Sequence, residues 1–217
     1  MNHAMQYIST RGGVPVSIEQ AIMSGTAPDG GLYVPTSLPT TQPSDFAGRE
    51  TLPDIAEQLL TPFFAGSTLA GRLGDICRQA LDFPVPLREI ESGQLSVLEL
   101  FHGPTAAFKD VGARFLAGSM ERIIGDGRVA TPPVTIMVAT SGDTGGAVAS
   151  AYHQRPGMRV VVLFPLGRVS PRQQHQLTCW GDNVISLAVR GEFDDCQRLV
   201  KEAFADQQLS RAHRLCS

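Results

Sequence analysis

A run apolar but for Thr135, Val134–Ala139 (VTIMVA), leads straight into TSGDTGG at 140–146 and then into AVASAY. A continuous apolar run of that length reads as a β-strand covered on both faces, not as the alternating strand of a half-wet sheet. The glycines after it turn the chain, and the small apolar residues beyond them read as a helix. The succession then repeats. RVVVLFP (159–165) is a second covered strand, SPRQQHQLTCWG (170–181) a short helix and VISLAV (184–189) a third strand. GEFDDCQRLVKEAFAD (191–206) reads as a helix with Cys196, Leu199, Val200 and Ala203 on one side. Alternation of this kind implies an α/β fold, a parallel sheet with flanking helices on both faces.

Ahead of residue 105 the rhythm differs. Ser17–Gly25 reads as a short helix, with Ser17 as cap, Ile18, Ala21 and Ile22 on one face, and Gly25 as stop. Pro28–Gly31 reads as a turn leading into a brief strand. From Leu52 to Ala80 apolar residues recur at threes and fours: Ile55, Leu59, Phe63, then Leu69, Leu73, Ile76 and Ala80. That spacing predicts two helices, broken near Pro62 and Gly66. VPLREI (85–90) and LSVLELF (95–101) are strand-like, and residues 110–124 read as a helix with Phe115, Leu116, Met120 and Ile123 as its apolar stripe. Two regions are therefore expected: 1–100, a mixed α/β region, and 101–217, an α/β region that carries the chemistry.

Composition excludes several classes. Of 217 residues 42% are apolar, enough for a core, and the net charge of −3 with scattered basic residues favours no nucleic-acid or membrane partner. No run of 18 apolar residues occurs, and MNHAMQYIST lacks the basic-then-apolar order of a signal peptide. The four cysteines form no CxxC pair and no His–Cys cluster, so free thiols in a reducing, cytoplasmic setting and no metal are expected.

Two stretches carry chemistry. TSGDTGG follows a buried strand and opens a helix, so its backbone N–H groups and the hydroxyls of Ser141 and Thr144 suit an anion. Gly142, Gly145 and Gly146 permit close approach, while Asp143 argues against a simple phosphate cradle. A capped glycine turn is the alternative. The second stretch, LELFHGPTAAFKD (98–110), places Lys109 after Phe108 at the mouth of a helix. A lysine there is a nucleophilic amine or a salt-bridged surface residue.

Five segments taken together, YISTRGG (7–13), APDGGLYVP (27–35), LELFHGPTAAFKD (98–110), ATSGDTGGA (139–147) and GEFDDCQRLVK (191–201), closely resemble the threonine synthase family. The resemblance runs in order along essentially the whole chain. It implies the tryptophan-synthase-β-like fold (fold type II) of pyridoxal-phosphate enzymes. It further implies a lyase that converts O-phospho-L-homoserine and water to L-threonine and phosphate in threonine biosynthesis. The resemblance assigns the Schiff-base lysine to Lys109 and the surroundings of cofactor and substrate to Lys109, Ser141, Gly142, Asp143, Thr144 and Gly145, with a weaker carry-over to Phe108 and Thr105. Asp143 would then face the cofactor ring or a substrate ammonium. Arg114, Arg168 and Arg172 are candidates for the substrate phosphate. A phospho-lyase of the same group, and a remnant that binds ligand or partner without turnover, are the alternatives. Family members are about twice this long. A later Gly/Asn-rich phosphate loop and a polar residue for the pyridine nitrogen are expected to lie beyond these 217 residues. Weak or absent cofactor binding and little or no threonine synthesis by this chain alone are expected with it, as is self-association or poor solubility through exposed apolar sheet surface.

Overall fold

The structure is a computed structural model that describes residues 4–125 and 132–216; the first three residues of the opening stretch and Ser217 lie outside the described residues. Its packing resolves two units. The first takes Met1–Asp82 and Gly118–Asp126, the second Phe83–Ala117 and Gly127–Ser217. The chain first passes from one to the other at Asp82–Phe83 and passes back within the helix that contains Ala117 and Gly118.

In the first unit, β1 (Tyr7–Ser9) lies between β2 (Gly12–Val16) and β3 (Tyr33–Pro35), antiparallel to both. Asp29 closes the connection to β3. Its carboxylate accepts from the Ser9 hydroxyl (2.8 Å) and the Gly31 amide (2.8 Å), and its carbonyl accepts from Arg11 (2.9 Å). Between these strands, α1 (Ile18–Ser24) starts at Ser17, which accepts from Gln20 N, and stops at Gly25, whose φ of 68° suits glycine. The helices α2 (Leu52–Leu60) and α3 (Leu73–Ala80) flank short 3-10 turns, so the two-helix expectation for 52–80 is met with the break where Pro62 stands.

Leu69, Leu73, Ile76, Cys77 and Ala80 are buried here, as is Met120 from the last turns of α4 (Lys109–Ile124). A Cβ on Gly118 would meet Ile76 Cγ2 at 3.6 Å, so that helix end packs closely on α3. Burial, reinforced by Glu57, pushes the Cys77 thiol up to about 11. Tyr7 is raised by burial as well. Both folded and unfolded chains hold the Cys77 proton at neutral pH. Between about 9 and about 11 the unfolded chain releases it first, so stability falls as pH rises through that window. Urea unfolding across the window is expected to show this fall, and Cys77→Ala to make it shallower.

The second unit opens with the antiparallel hairpin β4 (Leu87–Glu91) and β5 (Leu95–Leu98), exposed along its length. The first half of α4 follows. Then come β6 (Val134–Ala139), α5 (Asp143–Tyr152), β7 (Met158–Pro165), α6 (Pro171–Thr178), β8 (Val184–Val189), α7 (Phe193–Ala205), α8 (Gln207–His213) and β9 (Leu215–Cys216). The four strands form one parallel sheet in the order β8-β7-β6-β9. β7 is central, and Val160, Val162, Leu163 and Phe164 are all buried, as a strand covered on both faces requires. The edge strand β8 departs from that expectation. Ile185 and Leu187 are 45% and 46% exposed on this strand, which pairs with β7 at the edge of the sheet.

Two elements had no counterpart in the sequence pattern. Asp206 caps α8 by accepting from Gln208 N and Leu209 N, and Arg214, at φ 46°, turns the chain alongside β6. Leu215 and Cys216 then pair with Thr135 and Ile136. All four cysteines are free, and Cys179 alone among them is exposed. Among the described residues no His/Cys/Asp/Glu group could hold a metal ion, and no helix is long and apolar enough to cross a membrane.

Candidate active site

β6 is the strand at which the sheet order reverses. The chain runs from it to β7 and β8 on one side, while β9 lies on the other. Open parallel sheets bind ligands beyond the carboxyl ends of their strands at such a reversal. The segment that leaves β6 there is Thr140–Gly145.

Thr140 organises that segment. Its side chain is 2% exposed. Its Oγ1 accepts from Gly142 N (3.0 Å) and Gly145 N (2.9 Å) and donates to Gly142 O (3.0 Å). Three bonds to one hydroxyl fold the loop tightly and start α5 at Asp143 without a side-chain cap. Gly142 sits at φ 151°, where L residues are strained. Gly145 is needed for space: a Cβ there would lie 2.4 Å from Thr140 Cγ2 and 2.8 Å from Leu177 Cδ2. Ser141 and Asp143 are exposed and Thr144 is half-buried. Asp143 accepts from Gln173 Nε2 on α6 at 3.0 Å, so a neutral amide meets its charge.

The turn before α4 is shaped by Asp110. This carboxylate is fully buried and accepts from Thr105 N (2.9 Å) and Thr105 Oγ1 (2.7 Å). A Cβ on Gly103 would meet Asp110 Oδ2 at 2.5 Å, and Ala106 takes a left-handed φ of 57° to complete the turn. Asp110 is thereby committed to its own loop. Lys109, half-buried, has no carboxylate in ion-pair range among the described residues; its Nζ lies 3.9 Å from the centre of the Phe108 ring. Phe108 itself is 60% exposed. The salt-bridged alternative for Lys109 is therefore absent from the geometry.

Of the arginines named for an anion, Arg168 pairs with Glu192 at 3.1 Å and Arg114 stacks over Phe83 at 5.8 Å, while Arg172 is exposed. An open, mostly apolar cavity of about 370 Å³ lies beside Thr144, between β6, α5, α7 and the start of α4. Of the seven candidate residues Thr144 alone lines it. Sequence reasoning gave no role to Thr140, Gln173 or Gln176. Thr140 had a local signal, a lone hydroxyl at the end of an apolar strand; the glutamines had none.

Comparison with known proteins matches both halves of the chain. Residues 6–81 match the family model "Threonine synthase N terminus" and residues 83–214 match "Pyridoxal-phosphate dependent enzyme". Threonine synthase of Escherichia coli is 40% identical over 199 residues, which cover 91% of this chain and 45% of that protein. Threonine synthase of Schizosaccharomyces pombe is 37% identical, over 99% of this chain and 45% of its own length. A crystal structure of PLP-bound threonine synthase from Brucella melitensis superposes with a TM-score of 0.86 at 39% identity, covering 98% of this chain and 47% of that one. The yeast threonine synthase structure gives 0.82 at 32% identity, covering 98% and 45%. The chain thus spans about half the length of the relatives it matches. With more than half of its residues, Lys109 and the 140–146 loop among them, inside the second family model, this chain belongs to the family of pyridoxal-phosphate dependent enzymes.

Proposed function

We propose that this chain supplies the lysine and the substrate loop of a threonine synthase, acting on O-phospho-L-homoserine to give L-threonine and phosphate. The observation that carries it is the state of Lys109. Its amine is half-buried at a helix start, rests on an aromatic ring and is claimed by no carboxylate among the described residues. The chemistry of these residues fits pyridoxal phosphate: an available primary amine to condense with its aldehyde, and a helix N-terminus for anionic groups.

When bound, the cofactor supplies the electron sink that makes the substrate's α and β C–H bonds acidic. Lys109 Nζ would hold it, and the same amine, when free, would be placed to move protons at those carbons. The Asp143 and Thr144 N–H groups, in the first turn of α5, and the Ser141 hydroxyl orient a substrate carboxylate or phosphate. Thr140 holds the backbone that presents them.

Substrate class is tested by protection. The chain has two lysines, Lys109 and Lys201. Treatment with pyridoxal phosphate and borohydride should leave a pyridoxyl group on Lys109, and O-phospho-L-homoserine should suppress it where homoserine does not. Equal protection by the two, or none by either, overturns the substrate assignment.

A further inference from the structure

The two segments of the candidate site come from different places in the chain, yet one helix touches both. α6 presents Gln173 and Gln176, three residues apart and so on one face. Gln173 Nε2 donates to Asp143 Oδ1 at 3.0 Å, and its amide lies against Gly142, where a Cβ would meet Nε2. The other end of that amide is also fixed, because Gln173 Oε1 accepts from Ser170 N at 3.2 Å in the capping box of α6. Gln176 Nε2 donates to the carbonyl of Thr105 at 3.4 Å, and its Cβ would meet a Cβ on Gly146 at 3.6 Å. Thr105 in turn is bonded twice to Asp110, the neighbour of Lys109.

From this geometry we infer that Gln173 and Gln176 are positioning residues, a two-point clamp on α6 that holds the Ser141–Gly145 loop and the Lys109 turn in one arrangement. The inference rests on the assignment of those two segments to one site. Physically, the loop would otherwise be held from one side only. Thr140 fixes its backbone from within the loop, while nothing else among the described residues holds the Asp143 carboxylate. A short loop bonded at one point keeps several orientations; a second bond from a capped helix removes most of them.

Substitution can separate the clamp from the cap. Gln173→Glu keeps the acceptor that Ser170 N needs, since Ser-x-x-Glu is itself a capping box, but it cannot donate to Asp143. Amide hydrogen exchange in the ligand-free chain is the first measurement. Gln173→Glu should speed exchange at Gly142 and Gly145, whose amides donate to Thr140, about tenfold, the scale of one charge-assisted hydrogen bond, while α6 amides keep their protection. Adding Asp143→Asn restores a donor–acceptor pair of reversed sense and should bring the loop back to within about twofold of the parent. Gln176→Met should speed exchange at Ala106 and Asp110. Unchanged exchange in the loop for Gln173→Glu and in the turn for Gln176→Met overturns the clamp. So does an unrescued double variant.

The second measurement is the borohydride-stable pyridoxyl label on Lys109. The parent should take it; Gln173→Glu should take it about tenfold less, following loss of one bond to a charged group, and Gln176→Met about threefold less, following loss of one neutral bond. Labelling of the variants equal to the parent overturns the positioning role. A parent that takes none at Lys109 overturns the cofactor assignment instead, and the exchange results still decide the clamp.

Discussion

Lys109→Ala is expected to abolish the pyridoxyl label at position 109 and to leave the melting temperature within about 2 °C, because the side chain contributes little to the fold. Among the described residues its one polar or ring contact is with the face of Phe108, which is itself 60% exposed. A cation–π contact at so open a site is worth about 0.5–1 kcal/mol, and alanine is the better helix former at the first position of α4. Label on Lys201 should be unaffected. Lys109→Arg separates charge from nucleophilicity. The guanidinium keeps its place over the ring but does not condense with an aldehyde, so the label should be lost there too. Peptide mass mapping and thermal melts of the three proteins check both halves. A stability loss of several kcal/mol would show that Lys109 is a structural residue.

Gly145→Val should be the most damaging single change in the 140–146 loop. The new Cβ would sit 2.4 Å from Thr140 Cγ2 and 2.8 Å from Leu177 Cδ2, and both residues are buried. Neither neighbour has room to retreat: Thr140 is held by its bonds to Gly142 and Gly145, and Leu177 is wholly enclosed. Overpacking of this kind costs about 1–3 kcal/mol or more, and a branched side chain in the first turn of α5 adds to it. Gly146→Ala is the control. Its Cβ would meet Gln176 Cβ at an ordinary 3.6 Å, and a helical Gly→Ala change gains up to about 1 kcal/mol. Urea titrations should therefore move the two midpoints in opposite directions at similar slope. Equal effects would mean that the loop is looser than its three threonine bonds imply.

What the sequence made legible was what neighbouring residues decide among themselves. RVVVLFP is a buried strand, and VTIMVA one in its first half, because each is a nearly continuous apolar run, and Ser17 caps a helix because its hydroxyl reaches an amide three residues on. VISLAV has the same local pattern as those strands, yet its side chains at 185 and 187 are half exposed; edge position is a property of the sheet order. β9 escaped notice because two residues carry no periodicity. Within the site, Lys109 and the Ser141–Gly145 loop were visible as residue types in a pattern. Asp110 was visible as a residue but not as a contact: its side chain reaches back five positions only because Ala106 turns left-handed. The bonds from Gln173 to Asp143 and from Gln176 to Thr105 span 30 and 71 residues, and no local spacing announces them.

The most direct test is to titrate the chain with pyridoxal phosphate near neutral pH, reduce with borohydride and map the product. The two lysines then compete within one molecule. Label at Lys109 should saturate, at the high concentration that weak binding requires, and exceed by about tenfold or more that at Lys201, an exposed residue that lines the cavity beside Thr144. Equal, unsaturable labelling of Lys109 and Lys201 would show that no cofactor site exists around Lys109.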